Sequence, residues 1–513
     1  MTEQGGMGPE PDGPPAAEPP AAHPVWRSVH KVTPILNAWK VVVAVVAALI
    51  WQLGDNLRQF SELWGAIESY RTTALLVALG VVVVVGAIAA VYSALAWRRM
   101  KFAVTSESVD LHSGILFRRQ RHARLVRVQA VDVVQPLLGR VFGLAQVRVE
   151  TAGGNESNVV IGYLRDHEAH ALRNEVMARA AGVDAPVEHP ASGEAGPAPT
   201  FAEAPEREML RVPANRLVAS LLLSPSLLLL VIGVAVLVVV AVLAETTAPI
   251  FGAGPGLIGW VFYLWGRFAG EFHFRAAISP DGIRLRHGLL ETRSQTLPPG
   301  RVQAVRLSQP LLWRPFGWWR VRINVAGYGG SEGQQRSEVE TVLLPVGPRG
   351  DALTALWLVL PDLGEEDVPG LLDAALEGDG EAAGFWTSPR RARWVDPIGW
   401  RRNGLRITGT ALLMRSGRLV RSLVVVPHER TQSLAIRQGP LERRLRLADL
   451  LAHSVSGPVT PIAYHLDEML AQHVLVEQAE RARTARAAEG PEEWMRRVGV
   501  PHGPATDQGS GSS

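Results

Sequence analysis

Four long apolar segments interrupt an otherwise mixed pattern of hydrophobic and polar residues. They cover residues 41–53, 72–97, 217–244 and 248–266. A bilayer span needs about 20 apolar residues, and the first segment reaches that length only by including residues 34–40. We predict four membrane-spanning helices in two hairpins, 34–97 and 213–268, with a kink at Pro225 in the third helix. Gly and Pro crowd the first half of the fourth segment.

Between and after these segments, hydrophobic and polar residues alternate over stretches of four to six residues, which is the period of a half-buried strand. A glycine separates two such stretches in each region, where a tight hairpin needs a positive φ. These glycines are Gly114, Gly288 and Gly417. The first region ends in a helical segment, 166–180, with Asp166 as a suitable N-cap. The pattern predicts antiparallel strands closed by a helix.

One motif recurs three times in a single register. Residues 124–150 and 299–322 align at an offset of 174, and a third copy follows the first at an offset of 303. The recurring positions are Arg127, Arg301 and Arg430; Gln129, Gln303 and Gln432; Gln135, Gln309 and Gln438; and Arg140, Arg314 and Arg443. The period is far too long for a solenoid, so each copy is a small domain.

The apolar segments and the repeats together predict the domain organisation. In chain order, we expect a disordered Pro-rich tail (1–33), a transmembrane pair (34–97), domain 1 (98–181), a linker (182–212), a second transmembrane pair (213–268), domain 2 (269–360), an acidic linker (361–384), a basic domain 3 (385–480) and a disordered tail (481–513). The fold class is therefore mixed, with four transmembrane helices and three β-rich domains.

The order of these features resembles a known family. Two spans lead into a domain with a glycine hairpin, R-x-Q-x-V, and then Q-x-x-x-x-R-x-x-G-L-A-x-V in the first copy. This order resembles the bacterial pleckstrin-homology-like (PH-like) family of type 2, and the triplication resembles its YdbT-type multi-domain membrane proteins. The resemblance covers roughly 36–480. It implies a seven-stranded bent antiparallel sheet capped by a C-terminal helix in each copy.

The third copy departs from the family pattern. Its loop has Arg446 where the first two copies have Gly143 and Gly317, which puts its backbone conformation in question. It also has no transmembrane pair before it. Instead, residues 385–400 combine aromatic and basic side chains, a mixture that suits a membrane surface.

Positive charges predict the orientation in the membrane. Lys and Arg cluster after the second span and around the second pair, whereas the turn at 245–250 has neither. Cytoplasmic loops carry the excess of Lys and Arg, so we expect a multi-pass bacterial plasma-membrane protein with both termini and all three domains in the cytoplasm. The N-terminus has no signal-peptide pattern. The chain has no cysteine, which excludes disulfides and a thiol nucleophile.

Domain 3 carries the largest local charge. Residues 389–450 contain fourteen arginines against four carboxylates, a net charge of +10, whereas the whole chain has +3. Such a domain beside a membrane is attracted to the anionic inner leaflet. The candidate lipid or partner ligands are Arg401, Arg402, Arg443, Arg444 and Arg446. Nucleic acid would satisfy the same charge, but the membrane already supplies an anionic surface, so we do not favour it.

The shared motif has two interpretations. Arg127, Arg301 and Arg430 are candidate anion ligands, with the neighbouring glutamines as hydrogen-bond partners. Alternatively, these side chains leave one face of an alternating strand to contact a neighbouring strand or repeat. We favour the structural or interdomain interpretation for the glutamines and hairpin glycines, because a residue present in all three copies serves what the copies share. Exposed sheet edges also predict that repeats associate with one another, or with a related PH-like membrane protein.

Catalysis finds little support in the sequence. Ser331 lies in a G-x-S-x-G spelling, but in a Gly-rich hairpin rather than a strand-to-helix turn. His167 and His170 lack further metal ligands. We therefore expect no catalytic, cofactor or metal site, and a non-enzymatic scaffold that binds anionic lipid headgroups, protein partners or both, and serves the cell envelope. The alternative is a lipid or small-molecule transport or export component whose four helices carry the activity.

Overall fold

The structure is a computed structural model that describes residues 26–31, 33, 71–105, 107–114, 118–151, 159–180, 207–279, 282–297, 300–326, 341–455 and 457–488. Within these residues the strands form four sheets, of four, seven, seven and three strands. Neighbouring strands run antiparallel. The predicted first span and most of both predicted tails lie outside the described residues.

Repeat 1 consists of a four-stranded half, a three-stranded half and a closing helix. Its elements are β1 (Arg27–Ser28), α1 (Arg71–Arg99), β2 (Lys101–Val104), β3 (Ser108–Ser113), β4 (Arg119–Arg124), β5 (Val128–Pro136), α2 (Leu137–Val141), β6 (Leu144–Thr151), β7 (Val159–Arg165) and α3 (Asp166–Ala180).

Repeat 2 has the same order of strands and inserts a complete helical hairpin after its first strand. Its elements are β8 (Arg207–Arg211), α4 (Ala214–Leu222), α5 (Pro225–Leu243), α6 (Ala248–Glu271), β9 (Arg275–Ser279), β10 (Gly282–His287), β11 (Glu291–Leu297), β12 (Val302–Pro310), a 3-10 turn (Leu311–Phe316), β13 (Trp318–Val325), β14 (Val342–Pro348) and α7 (Arg349–Val359).

Repeat 3 repeats the strand order without a helical hairpin. A short helix in the acidic linker, α8 (Val368–Leu376), precedes it. Its elements are β15 (Trp386–Thr387), β16 (Gly404–Ile407), β17 (Ala411–Ser416), β18 (Val420–Pro427), β19 (Ser433–Arg437), α9 (Pro440–Arg444), β20 (Leu447–His453), β21 (Ile462–Asp467) and α10 (Glu468–Ala488).

The first strand of repeats 1 and 2 lies before the helices, which corrects two predicted boundaries. Residues 207–211 fall in the predicted linker, yet they pair with β9, and Arg27–Ser28 in the predicted tail pair with β2. Such short strands carry no period of their own and form only because a distant partner supplies their hydrogen bonds. At the other end, α10 continues to Ala488, beyond the predicted limit of domain 3 at residue 480.

The seven-stranded sheets do not coincide with single repeats. We expected seven strands bent into one sheet within each domain. Instead, the three-stranded half of repeat 1 continues into the four-stranded half of repeat 2, and repeats 2 and 3 are joined in the same way. Each seven-stranded sheet is therefore shared between two neighbouring repeats.

The helices of the predicted second pair differ in detail from the prediction. Within the described residues, α5 and α6 are long and apolar enough to cross a membrane. Pro225 does not kink a single helix: it is the first residue of α5, where it loses no hydrogen bond, and the Ser224 hydroxyl caps that helix by accepting from the Leu227 N–H at 3.2 Å. α6 continues past Pro255 to Glu271. Helix α1 coincides with the predicted second span.

The strands at the joins alternate between two cores. In β5, Val131 and Val133 pack in the core of repeat 1, whereas Ala130 packs with residues of repeat 2. The equivalent Ala304 in β12 packs in the core of repeat 3. Because side chains of a strand point alternately to opposite faces, one strand stabilises two repeats at once.

Candidate membrane-facing interface

Two strand pairs, which we call joint 1 and joint 2, connect the repeats. At joint 1, β5 pairs with β11 and Pro136 lies opposite Glu291. At joint 2, β12 pairs with β18 and Pro310 lies opposite Val420. The two prolines are equivalent in the motif, and Glu291 and Val420 each lie three residues after the hairpin glycine of their repeat. The joints therefore share one register, and one geometric step relates repeat 1 to repeat 2 and repeat 2 to repeat 3.

At each joint, the recurring arginine of the loop that follows the motif strand donates a hydrogen bond to the next repeat. Arg140 donates a hydrogen bond to the Thr292 hydroxyl of repeat 2. Its equivalent, Arg314, donates to the carbonyl oxygens of Arg418 and Leu419 in repeat 3. The third equivalent, Arg443, is exposed. The sequence singled out Arg443 as a lipid ligand, and this exposure leaves it accessible to one.

The recurring glutamines lie close to the joints. Gln135 lies opposite Thr292 across joint 1, and Gln309 accepts a hydrogen bond from Arg421 of repeat 3 at 3.3 Å. Gln438 donates within its own repeat, to the Leu447 carbonyl at 2.9 Å. Two of the three glutamines therefore lie at a joint, and the structural or interdomain role of the motif stays a prediction.

The second recurring glutamine differs between copies. Gln303 is buried and donates to the Arg301 carbonyl at 3.5 Å, whereas Gln432 is exposed. The side chain of Gln129 lies outside the described part of the chain.

The recurring arginines of the R-x-Q motif do not form one site. Arg127 is exposed. Arg301 and Arg430 lie near each other in joint 2, where burial and the Arg430 charge lower the pKa of Arg301. Arg430 also approaches Glu429, with its Nε 3.9 Å from a carboxylate oxygen. Their role as anion ligands remains a prediction.

At one end of repeat 2, the joints and the turns between β-strands lie next to the helical hairpin formed by α5 and α6. The Gly288 N–H donates to the Phe272 carbonyl at 2.7 Å, just after α6. Trp313, in the loop after β12, donates from Nε1 to the Ser220 carbonyl of α4 at 3.1 Å. The β10–β11 turn and the motif loop therefore lie against the base of the hairpin.

A buried ion-pair network fixes the hairpin to its domain. Glu271, the last residue of α6, is 1% exposed. It accepts hydrogen bonds from Arg320 of β13 and, at 3.3 Å, from Arg267 one helical turn earlier. We did not single out Glu271 from the sequence. The sequence feature that could have identified Glu271 is its position as a carboxylate at the end of an apolar segment. A carboxylate that is buried there must be paired with a positive charge.

A cationic cleft of about 370 Å³ opens beside this network at joint 2. Four arginines line it, together with hydroxyl groups from both repeats. These arginines are Arg267, Arg306, Arg320 and Arg322. Burial lowers the pKa of Arg306, whose guanidinium donates to the Thr460 carbonyl at 2.9 Å. A second cleft, of about 320 Å³, lies at joint 1.

One predicted lipid ligand in repeat 3 is structural. Arg402 is 5% exposed and donates to the carbonyls of Ala375, Leu376 and Gly378. It thereby satisfies the C-terminal carbonyls of α8, which a helix cannot satisfy itself. Burial lowers the pKa of Arg402 to about 10. Arg402 is therefore not available to lipid, and composition alone could not separate it from its neighbours.

The other predicted ligands of repeat 3 are exposed. They are Arg401, Arg443, Arg444 and Arg446. Arg401 lies over the ring of Trp400, with its guanidinium carbon 5.4 Å from the ring centroid. Arg446 keeps the backbone of the glycine that it replaces: its φ is 50°, against 63° at Gly143 and Gly317.

Among the described residues, Glu442, Asp449 and His465 are the one group whose geometry could hold a metal ion. Both carboxylates are already engaged. Glu442 accepts from the Gly439 N–H at 2.5 Å, and Asp449 pairs with Arg437 at 2.9 Å. His465 Nδ1 lies 3.0 Å from Glu442. These contacts give the group a structural function. Ser331 lies outside the described residues.

Comparison with known proteins identifies the family of this chain. A family profile for the bacterial PH domain matches residues 41–180, 217–353 and 382–486. The chain belongs to the bacterial PH domain family. It is also 21% identical over 357 residues to the UPF0699 transmembrane protein YdbT of Bacillus subtilis (strain 168), covering 62% of this chain and 66% of that protein, slightly less than two thirds of its length. The family and the apolar helices make this a membrane-associated protein with three bacterial PH domains.

Proposed function

We propose that this protein is a non-enzymatic membrane scaffold in which three bacterial PH domains form one row beneath the bilayer and bind anionic lipid headgroups. The observation that carries the proposal is the repetition of one joint register. It supports a single extended body in place of three independent domains. Protein partners and association between chains, through the sheet edge at β19, are further parts of the proposal, as is a role in the cell envelope.

Three features support lipid headgroups as the ligand. Exposed arginines crowd repeat 3, the joint 2 cleft is lined by arginines and hydroxyls, and this cleft lies at the base of the helical hairpin. Phosphate groups accept strong charge-assisted hydrogen bonds from arginine side chains. A juxtamembrane cation gains about 1 kcal/mol from an anionic leaflet.

Binding of anionic lipid by the full chain tests this proposal. Purified protein in mild detergent should retain anionic phospholipid in native mass spectrometry and exchange it for added anionic lipid but not for a zwitterionic one. The variant Arg401→Glu/Arg443→Glu/Arg444→Glu/Arg446→Glu should retain less, since all four side chains are exposed. A matched control, which should retain anionic lipid like the wild type, reverses four arginines in and directly before β4: Arg118, Arg119, Arg121 and Arg124. Equal retention of zwitterionic lipid would contradict the proposal.

A further inference from the structure

We propose that repeat 3 docks on the lipid surface through residues 388–403, which take the place of a transmembrane hairpin. This inference rests on the proposed function, since it takes the row of repeats to lie beneath the bilayer. In repeat 2 the connection between the first two strands, β8 and β9, is the helical hairpin. In repeat 3 the same connection is a short segment with a 3-10 turn at Arg390–Trp394.

The repeated joint places this segment on the membrane side. Repeat 1 carries the apolar helix α1 between its first two strands, β1 and β2, and repeat 2 carries its helical hairpin between β8 and β9. The step across joint 1 therefore leads from one apolar helical insertion to the next. Joint 2 has the same register. The same step therefore carries the attachment point of repeat 2 to the corresponding point of repeat 3, which is residues 388–403.

Hydrogen bonds combine this segment with two neighbouring loops into one surface. Arg391 donates from Nε to the Leu445 carbonyl at 2.6 Å and from Nη2 to the Arg446 carbonyl at 3.1 Å. Asn403 accepts from the Gly417 N–H at 3.4 Å. The segment thus lies beside the loop that contains α9 and the β17–β18 turn, whose equivalent in repeat 2 contacts the base of the hairpin.

Large apolar side chains are exposed on all three loops. Trp394 is 73% exposed and Ile398 is 54% exposed, while Leu419 and Leu441 are 57% and 61% exposed. Exposed apolar residues that cluster on one end of a domain mark an interaction site. Trp is enriched at the membrane interface, where its ring spans the apolar and polar layers.

Arginines surround these apolar side chains and fit a phosphate layer. Arg393 lies over the Trp394 ring, with its guanidinium carbon 5.3 Å from the ring centroid, and Arg401 and Arg418 are exposed. The single carboxylate of the segment, Asp396, is engaged internally by the Gly399 N–H and the Asn403 amide. An apolar tip within a cationic rim fits the boundary between acyl chains and anionic headgroups.

Site-specific labelling of the full chain tests the docking. The chain has no cysteine, so Ile398→Cys can carry a single environment-sensitive fluorophore. The protein is reconstituted into nanodiscs that contain anionic lipid and a lipid with a headgroup nitroxide. We expect blue-shifted emission and several-fold stronger quenching than at Arg483→Cys. Arg483 is also well exposed, at 74%, but lies near the opposite end of the domain, where Arg486 contacts Thr431.

A third label separates this inference from the proposed function. Leu229→Cys in α5, 53% exposed, reports on the hairpin itself. Quenching at residue 229 with equal, weak quenching at 398 and 483 would overturn the docking and leave the membrane scaffold standing. Weak quenching at 229 as well would overturn both. Adding Trp394→Asp should reduce quenching at 398, whereas Val476→Asp, on an equally exposed apolar residue of α10, should not.

Discussion

At the scale of single residues, the backbone of the tight β-turns has a positive φ at three positions, and each of them is a glycine. Gly114, Gly288 and Gly417 have φ values of 101°, 115° and 74°, as the sequence predicted. A Cβ at Gly417 would overlap the Val420 carbonyl oxygen. Because Val420 begins the strand of joint 2, this turn sets the register between repeats as well as within one.

Gly417→Ala should therefore destabilise repeat 3 by about 1–3 kcal/mol, the usual range for a strained backbone position. Thermal unfolding of the purified protein measures the change. Gly350→Ala is the matched control, since that glycine lies in α7 with nothing within 4 Å of its Cβ position, and alanine favours a helix by about 1 kcal/mol. Equal stability of the Gly417 variant and the wild type would refute the steric argument.

Glu271 provides a second prediction at this scale. Glu271→Gln leaves Arg320 and Arg267 without a carboxylate in a buried site, and breaking such a network costs about 3–5 kcal/mol. The variant should unfold at a lower temperature in detergent. Glu208→Gln serves as control, because Glu208 and Arg275 are about half exposed and 3.9 Å apart, a pair that contributes about 1 kcal/mol or less. Similar losses in both variants would contradict a special role for Glu271.

At the scale of elements, the sequence predicted most strands and missed the connections between them. The alternation in R-V-Q-A-V predicted that Val128 and Ala130 share one face of β5. Instead, a bulge separates them: Val128 packs in the core of repeat 1, whereas Ala130, like Ala304 in β12, packs in the core of the next repeat. The strand β8 could not be predicted, because its five residues depend on a partner beyond a helical hairpin. Arg402 was misassigned for a related reason: its acceptors are the last two carbonyls of α8 and that of Gly378 just after it, and no local pattern identifies them.

Disulfides across the joints test this arrangement. Ser308 lies opposite Ser422 at joint 2, and the equivalent pair at joint 1 is Val134 and Arg293. Facing residues of antiparallel strands have Cα atoms about 4.5–5.5 Å apart, which a disulfide can span. Each cysteine pair should lose its free thiols under mild oxidation. A control pair, Ser308→Cys with Ser433→Cys on a strand of another sheet, should retain its free thiols. Oxidation of the control pair but not of the joint pairs would contradict the strand pairing at the joints.

At the scale of the whole molecule, two identical steps produce a row with two different ends. At one end, β4 has no further neighbour within the described residues, and its residues Arg119, Arg121 and Arg124 place charge along an open edge, which discourages pairing with another chain. At the other end, β19 is the outer strand of its sheet. The sequence predicted three domains and their membrane association. It could not predict the common register, which appears only when strands distant in sequence are paired.

The orientation of the row in the membrane gives the last prediction. Arg207, Arg211 and Arg216 precede the hairpin, whereas the turn between α5 and α6 carries no Lys or Arg, so the positive-inside rule places that turn outside. Thr247→Cys, exposed in this turn, should react with an impermeant maleimide added to intact cells. Arg418→Cys, exposed at the proposed lipid-facing end of repeat 3, should react only after lysis. Labelling of residue 418 in sealed cells would place all three domains outside and remove the anionic inner leaflet as their ligand.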